Sequence, residues 1–381
     1  MVTEAAPLEN IANKVAIPGK RAVDYRAERW AARGVLWQES SLKRVRSCGR
    51  VAITSTGEVQ VRANGAAVGF AGLASCGSVW SCPVCNARIQ AVRRLEVGVA
   101  IATIQAAGGS AAFGAYTLRH RAGQPLGPLW EALSYCWEAL TRDGSVKRLR
   151  KALGYVGTIR AVECTKGCHG WHPHLHPVHL FDRAVTREEV AQLEAAEFRA
   201  WAAAAKRRGL EAPTIQAQHL HRIEGDAGEV LGDYFTKAVY QPSSEGVAWE
   251  MTSTQTKSST RAKDSMTPWD LLRDVYENGD ADSFDAWGEW ERASKGKRAL
   301  TWSRGLRARV GLDVEATDEE IAAAEVGSKD DIGFIITDWA PVRANPRLGA
   351  LLLSEIGTGK NWEAGRRFCR LHEIPIRETQ T

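Results

Sequence analysis

Three of the nine histidines fall in one pentapeptide, His172-Pro173-His174-Leu175-His176. On a strand, alternate side chains share a face, so His174 and His176 point the same way and Leu175 turns to the other side. Two imidazoles at that spacing form a bidentate clamp for a divalent ion. Glu163, at the end of the preceding predicted strand, can reach across a hairpin and supply an oxygen ligand. Two histidines and one carboxylate leave coordination positions open, accept magnesium or manganese, and leave room for a phosphate oxygen. A lone histidine on an apolar strand is more often a satisfied core residue, but two or three in register fit that reading poorly. His219-Leu220-His221 repeats the spacing and ranks lower, because it leads into polar residues 222–226 whereas 174–181 continues as an apolar run. The spacing leaves open whether His172, His219 or His221 joins the ion.

The cysteines suggest a different kind of site. Cys82-Pro83-Val84-Cys85 is a short knuckle, Cys76 lies six residues before it, and Cys48 completes a set of four. Four thiolates make the closed tetrahedral set that structural zinc prefers, with no position left for water. Such an ion folds its module and performs no chemistry. Unconnected small apolar residues are the alternative, and paired-cysteine spacing argues against it. Cys164 and Cys168 form a second pair with only His169 nearby to complete it. Cys136 and Cys369 stand alone and read as buried fillers.

Tyr234-Phe235-Thr236-Lys237 falls on a predicted helix, where residues three apart share a face. It can present a phenolic nucleophile beside a phosphate-binding cation. A half-buried tyrosine on an amphipathic helix is the bland reading, and the histidine pair upstream tips the balance to the chemical one. Tyr240 is the second candidate, and Glu229 and Asp233 are carboxylates that could act as bases. Lys295, Lys297, Arg298, Arg304, Arg307 and Arg309 form a basic stretch around Trp302, suited to phosphate neutralisation and base stacking or simply to a solvated helix face. Arg44, Arg46 and Arg50 flank Cys48 in the same way. Gly359-Lys360 is not a phosphate loop, since Ser354 replaces the upstream glycine and Asn361 the hydroxyl residue.

These groups need elements to hold them. Apolar alternation and caps predict strands over 112–118, 155–163, 171–181 and 215–223. Helices are predicted over 21–37 (ending near Gly34), 87–104, 129–153, 186–208 with Thr186 as N-cap, and 229–239. The strands 155–163 and 171–181 are joined by a short glycine-bearing loop, which suits an antiparallel hairpin. Residues 252–265 read as a polar linker, 268–310 and 315–326 as helical, and 346–371 as helical with a break at Gly357-Thr358-Gly359. The class is α+β, a mostly antiparallel central sheet flanked by helices. With 381 residues, 44% hydrophobic and 25% charged, the chain is a folded one, and its net charge of +5 is compatible with a polyanionic partner without requiring one. No apolar run approaches the length that spans a bilayer, so a cytoplasmic protein without membrane contact is expected.

The ordered set resembles the plasmid rolling-circle replication initiators, within the HUH (histidine-hydrophobe-histidine) endonucleases. The resemblance rests on Gly170-Trp171-His172-Pro173-His174-Leu175-His176, on Glu163 before it and on Tyr234-x-x-Lys237 after it. The knuckle Cys76-Gly77-x-x-Trp80-x-Cys82-Pro83-x-Cys85 is similar to that of actinobacterial-type initiators, as are Thr267–Leu272 and Leu300–Leu306 to their distal region. One departure is Val230, where some relatives carry a glutamate a turn before the tyrosine. The resemblance covers roughly residues 42–310, and with the element pattern it divides the chain into a peripheral arm at 1–41, a cysteine zinc module at 42–105, an HUH nuclease core at 106–245 and a mostly helical region at 246–381 that could contact DNA. It implies that His174, His176 and Glu163 hold Mg2+ or Mn2+, that Cys48, Cys76, Cys82 and Cys85 hold Zn2+, and that Tyr234 attacks a phosphodiester with help from Lys237. That attack leaves a 5′-phosphotyrosine link and a free 3′-hydroxyl primer. Lys297, Arg298, Arg304 and Arg307 are the expected DNA contacts. The implied partners are a duplex plasmid origin, single-stranded DNA, and a host helicase and DNA polymerase, with no nucleotide cofactor. The alternatives are a relaxase or tyrosine transposase of the same superfamily, or a zinc-bearing DNA-binding regulator without cleavage.

Overall fold

The computed structural model describes residues 25–64, 67–223, 265–324 and 331–379. The strands among them, in chain order, are β1 (Val59–Asn64), β2 (Ala67–Ala71), β3 (Ser110–Thr117), β4 (Tyr155–Gly167), β5 (Gly170–Phe181), β6 (His219–Arg222), β7 (Leu300–Trp302), β8 (Ile332–Ile336) and β9 (Ile376–Arg377). They make two antiparallel sheets, ordered β2-β1-β8-β9 and β6-β3-β5-β4-β7, with helices beside them. The mixed, antiparallel class is the expected one. No helix among the described residues is long and apolar enough to cross a membrane.

The chain divides into two compact units. One takes its described residues from Met1–Val92, Tyr276–Asn278 and Ala316–Thr381, and holds the four-stranded sheet. Helix Tyr25–Glu39 packs there against helix Arg347–Ile356. This first helix runs through Gly34 instead of ending there. The bare Cα of Gly34 faces the Pro346 ring, whose Cγ would lie 2.5 Å from an added Cβ, so the glycine serves close packing and not a stop. The expected acidic helix is short, Asp318–Ala323, behind a Thr317/Glu320 capping box. The helical stretch 346–371 is two helices, Arg347–Ile356 and Trp362–Leu371, parted where expected.

The other unit, Arg93–Val275 with Gly279–Glu315, holds the five-stranded sheet. β4 and β5 form a hairpin closed by Cys168-His169 between Gly167 and Gly170. Gly170, just after that turn, has φ +90°, a left-handed conformation that a side chain resists and that glycine supplies where a hairpin turn rejoins its strand. One sheet face is covered by Val97, Ala100, Ile101 and Ile104 of helix Pro83–Ala106, which bury Phe113, Ile159, Ala161, Val178 and Leu180. Each large aliphatic side chain removed from water there contributes about 1.5–3 kcal/mol. The opposite face meets helices Leu126–Arg142, Gly144–Ala152 and Arg187–Arg207, with Tyr116 packed edge-on against Trp137 and Trp201.

Three expectations for this unit change. The single helix 129–153 is two, because the Asp143 carboxylate accepts from Ser145 N and Val146 N and starts a new helix. The strand expected over 215–223 is a 3-10 turn, Ile215–Ala217, followed by the shorter β6. The region 268–310 holds helices Pro268–Asn278 and Ala281–Ser294, then β7, whose pairing with β4 overrides local helical pattern.

Candidate active site and metal centre

The register of β4 on β5 sets Glu163 opposite His174 and Ala161 opposite His176. Directly opposite side chains lie on one face about 5 Å apart, so the hairpin brings the carboxylate and both imidazoles together. Glu163 Oε2 lies 2.9 Å from His176 Nε2 and 3.2 Å from His174 Nε2. This group is one of two among the described residues whose ligand atoms all lie within 4.8 Å, and it does not include His172, His219 or His221.

The donor set fits a cation. His174 Nδ1 is 3.1 Å from the His172 carbonyl oxygen. A carbonyl only accepts, so Nδ1 carries the proton and Nε2 of the neutral ring turns a lone pair toward Glu163. Lone pairs facing a carboxylate oxygen repel unless a cation lies between them. Ligand atoms about 3.0 Å apart are what bonds of about 2.1 Å at right angles require, close to the observed separations. The His176 ring lies parallel to Phe113 at 5.4 Å, and its buried Nδ1 has no partner, so only Nε2 faces the group. Burial raises the Glu163 carboxyl, and only charges and hydrogen bonds from protonated His174 and His176 would hold it well below the usual carboxylate range; with neutral rings that role falls to a cation. His174 is the most open of the three, with 13% of its side chain exposed against 9% for Glu163 and 6% for His176.

His172 extends the row, its ring 4.9 Å from His174 and 5.0 Å from His120. Burial first, then the neighbouring His174 and His120, pull its ring down to about 3. His219 and His221 stack on each other at 4.9 Å on β6, opposite Ala115 and Phe113 of β3. That strand stands between them and β5, so a second pair of the same spacing lies about 9.5 Å away across the sheet.

Behind the histidine strand lies a buried network that sequence reasoning missed. Glu197 accepts from Arg150 Nε at 2.9 Å and Nη2 at 2.6 Å, sits 3.2 Å from His179 Nε2, and also accepts from the Tyr116 hydroxyl. His179 follows His176 by three residues on β5 and turns to the opposite face. Burial would raise the Glu197 carboxyl, but Arg150 and His179 bring it down to about 2. The signal was legible: Val190, Leu193, Glu197 and Trp201 recur at helical spacing, which puts a carboxylate on an apolar stripe. Glu289 does similar work at the start of β5, accepting from Trp171 Nε1 and Leu126 N, each at 2.7 Å.

The basic stretch meets the site at the sheet edge. β7 sets Leu300 opposite Ala161, and the Ala299 carbonyl accepts from Val162 N at 3.0 Å. The chain entering β7, with exposed Lys297 and Arg298, therefore runs beside the Glu163 end of β4. Arg304 is exposed as well. Arg307 is tied down, with Nη2 2.9 Å from Glu96, Nε donating to the Asp313 carbonyl, and its guanidinium over Trp302. Tyr234, Lys237, Tyr240, Glu229 and Asp233 lie outside the described residues.

In the other unit, Cys48, Cys76, Cys82 and Cys85 are buried and converge as the second group. Their sulfurs are 3.5 Å apart for Cys48–Cys85 and Cys76–Cys85, and 3.7 Å for Cys48–Cys82. A tetrahedral ion with bonds of about 2.3 Å to sulfur requires separations near these, about 3.8 Å. The group could hold a metal ion with all four ligands from the chain. Hydrogen bonds from Cys48, Cys76 and Cys82 pull the Cys85 thiol well down, while burial pushes Cys82 up. Four crowded thiols of this kind cannot all ionise without a cation among them. The Cys48–Gly49 backbone is held by two indoles, Trp37 to Cys48 O at 2.8 Å and Trp339 to Gly49 O at 3.0 Å. Cys164 is buried and Cys168 exposed, and neither belongs to a ligand group among the described residues.

Comparison with known proteins gives two curated likenesses. The chain is 28% identical over 334 residues to "Protein rep" of Streptomyces lividans, covering 70% of this chain and 71% of that protein. It is 36% identical over 143 residues to a "Neomycin resistance protein" of Streptomyces cyanogenus, covering 31% of this chain and 32% of that one. The long likeness supports a Rep-type replication protein, in keeping with the resemblance drawn from the motifs. No family model matches the chain. No solved structure matches it either.

Proposed function

We propose that this chain is a plasmid rolling-circle replication initiator that nicks one strand of its origin at the Glu163/His174/His176 group. The observation that carries the reading is the convergence of that carboxylate and two imidazoles on one face of an antiparallel hairpin. The long likeness to a Rep protein supports it. Glu163, His174 and His176 would hold magnesium or manganese, and such an ion supplies Lewis-acid neutralisation of a phosphodiester. The Tyr234 hydroxyl attacks phosphorus, the bond from phosphorus to the 3′-oxygen breaks, and the tyrosine proton ends on the released 3′-hydroxyl. The product is a 5′-phosphotyrosine diester, which keeps the energy of the broken bond and allows later religation without a nucleotide. Lys237 contacts a neighbouring phosphate. Lys297, Arg298 and Arg304 guide single-stranded DNA along the sheet edge, with Arg307 anchored to Glu96 to fix that edge. Cys48, Cys76, Cys82 and Cys85 hold structural zinc.

A relaxase or tyrosine transposase would share the ion and the nucleophile, and the four-cysteine group favours the initiator. The test is conversion of a supercoiled plasmid bearing the presumed origin to open circles, with manganese or magnesium, by the wild type and by His176→Ala. Metal-dependent nicking that falls at least a hundredfold in the variant is expected. Origin binding with no nick under any divalent ion would instead make the chain a DNA-binding regulator.

A further inference from the structure

Arg33 is 3% exposed, yet its Nε and Nη2 are buried with no hydrogen-bond partner. Its guanidinium lies 3.9 Å above the Trp30 ring. An aromatic face attracts a cation but offers no acceptor in the ring plane to those N–H groups. The other flank rests on Gly49, the residue after Cys48, where an added Cβ would lie 2.3 Å from the guanidinium carbon. Gly49 has φ +64°, so both its backbone and the guanidinium demand glycine there. Arg33, Cys48, Gly49 and Cys85 line one cavity of about 40 Å³.

A guanidinium withdrawn from water without an acceptor weakens a fold, because it never loses its charge. Four thiolates on a divalent ion raise the mirror problem. They leave a net dianion, here inside a shell where each cysteine is no more than 2% exposed. Metal-bound thiolates are also good acceptors of N–H groups. We propose that Arg33 is the built-in countercharge of the four-cysteine metal centre. It is placed against Gly49 so that loading the ion gives the buried cation its partner. The inference rests on the reading that these cysteines hold a metal.

The experiment uses the full reduced chain, stripped and then titrated with cobalt. The thiolate charge-transfer band reports only sulfur ligation and excludes the histidine group. Zinc affinity follows by competition. Arg33→Met keeps much of the side-chain volume without charge, and Arg33→Lys keeps the charge. The Met variant should bind 10- to 100-fold more weakly, the range typical of lost outer partners, with Lys closer to the wild type. Loaded Met variant should melt below loaded wild type, while the two stripped chains melt together or the variant higher. Equal affinities within twofold, or equal destabilisation of stripped and loaded forms, would reduce Arg33 to a packing residue and overturn the inference. So would stabilisation of the stripped wild type, but not of Arg33→Met, by chloride or phosphate, since the cavity would then serve a free anion. A thiolate band missing from the wild type, or unchanged in Cys82→Ser, would overturn the metal reading itself.

Discussion

At the residue scale the site depends on which lone pairs face which charges. With Nδ1 of His174 committed to a carbonyl, Glu163 is the group that makes the two imidazoles useful to an ion. Glu163→Gln removes that charge without changing shape and should weaken manganese binding at least tenfold, read by calorimetry. His219→Ala, a strand away, should change it less than threefold. Glu197 gives a pH prediction. Its carboxyl sits at about 2 against an ordinary 4.5, a depression worth roughly 3 kcal/mol. A depressed carboxyl stabilises above its unfolded pKa and loses that stabilisation as pH falls, so the melting temperature should hold from pH 7 to about 5 and fall steadily toward 2. Glu197→Gln should melt lower at neutral pH and show a shallower acid decline. If its acid profile matched the wild type, the network would not hold the charge assigned to it. The histidine pair was legible because a strand repeats every two residues. Glu197's place on an apolar helix stripe was also readable, but its partners Arg150 and His179 were not, because the three come from separate elements and only the fold brings them together.

At the scale of elements, the β4–β5 hairpin does most of the positioning, and its glycine-bearing loop made it readable from local sequence. β7 was not readable. Three residues, Leu300–Trp302, carry too little pattern to declare a strand, and what makes them one is an open edge on β4. That edge brings exposed Lys297 and Arg298 beside Glu163. Neutralising Lys297, Arg298 and Arg304 together should flatten the dependence of log affinity for single-stranded DNA on log salt by about 2, at roughly 0.7 per lost phosphate contact. An unchanged slope would return these residues to ordinary solvated charge. The Thr186 cap was visible in sequence and is realised as a capping box with Glu189. Thr186→Ala should cost about 1 kcal/mol in chemical denaturation.

At the scale of the whole molecule, the four cysteines share a unit with residues 316–381, far away in sequence. No local signal foretells that pairing, since β1 meets β8 across more than 250 intervening residues. What the sequence did expose, the α+β class and two ligand groups, is what short-range periodicity and residue chemistry can carry. The chain as a whole is read as an enzyme that joins itself to DNA, and one measurement tests this most directly. The reaction on origin DNA with manganese would be digested with nuclease and trypsin, and the nucleotide-bearing peptide sequenced by mass spectrometry. Cleavage after Arg222, Lys237 and Lys257 separates Tyr234 from Tyr240. A nucleotide on Tyr234, within residues 223–237, is the predicted result. Nucleotide on 238–257 would move the nucleophile to Tyr240, and nicked origin DNA with no linked peptide at all would contradict the covalent mechanism.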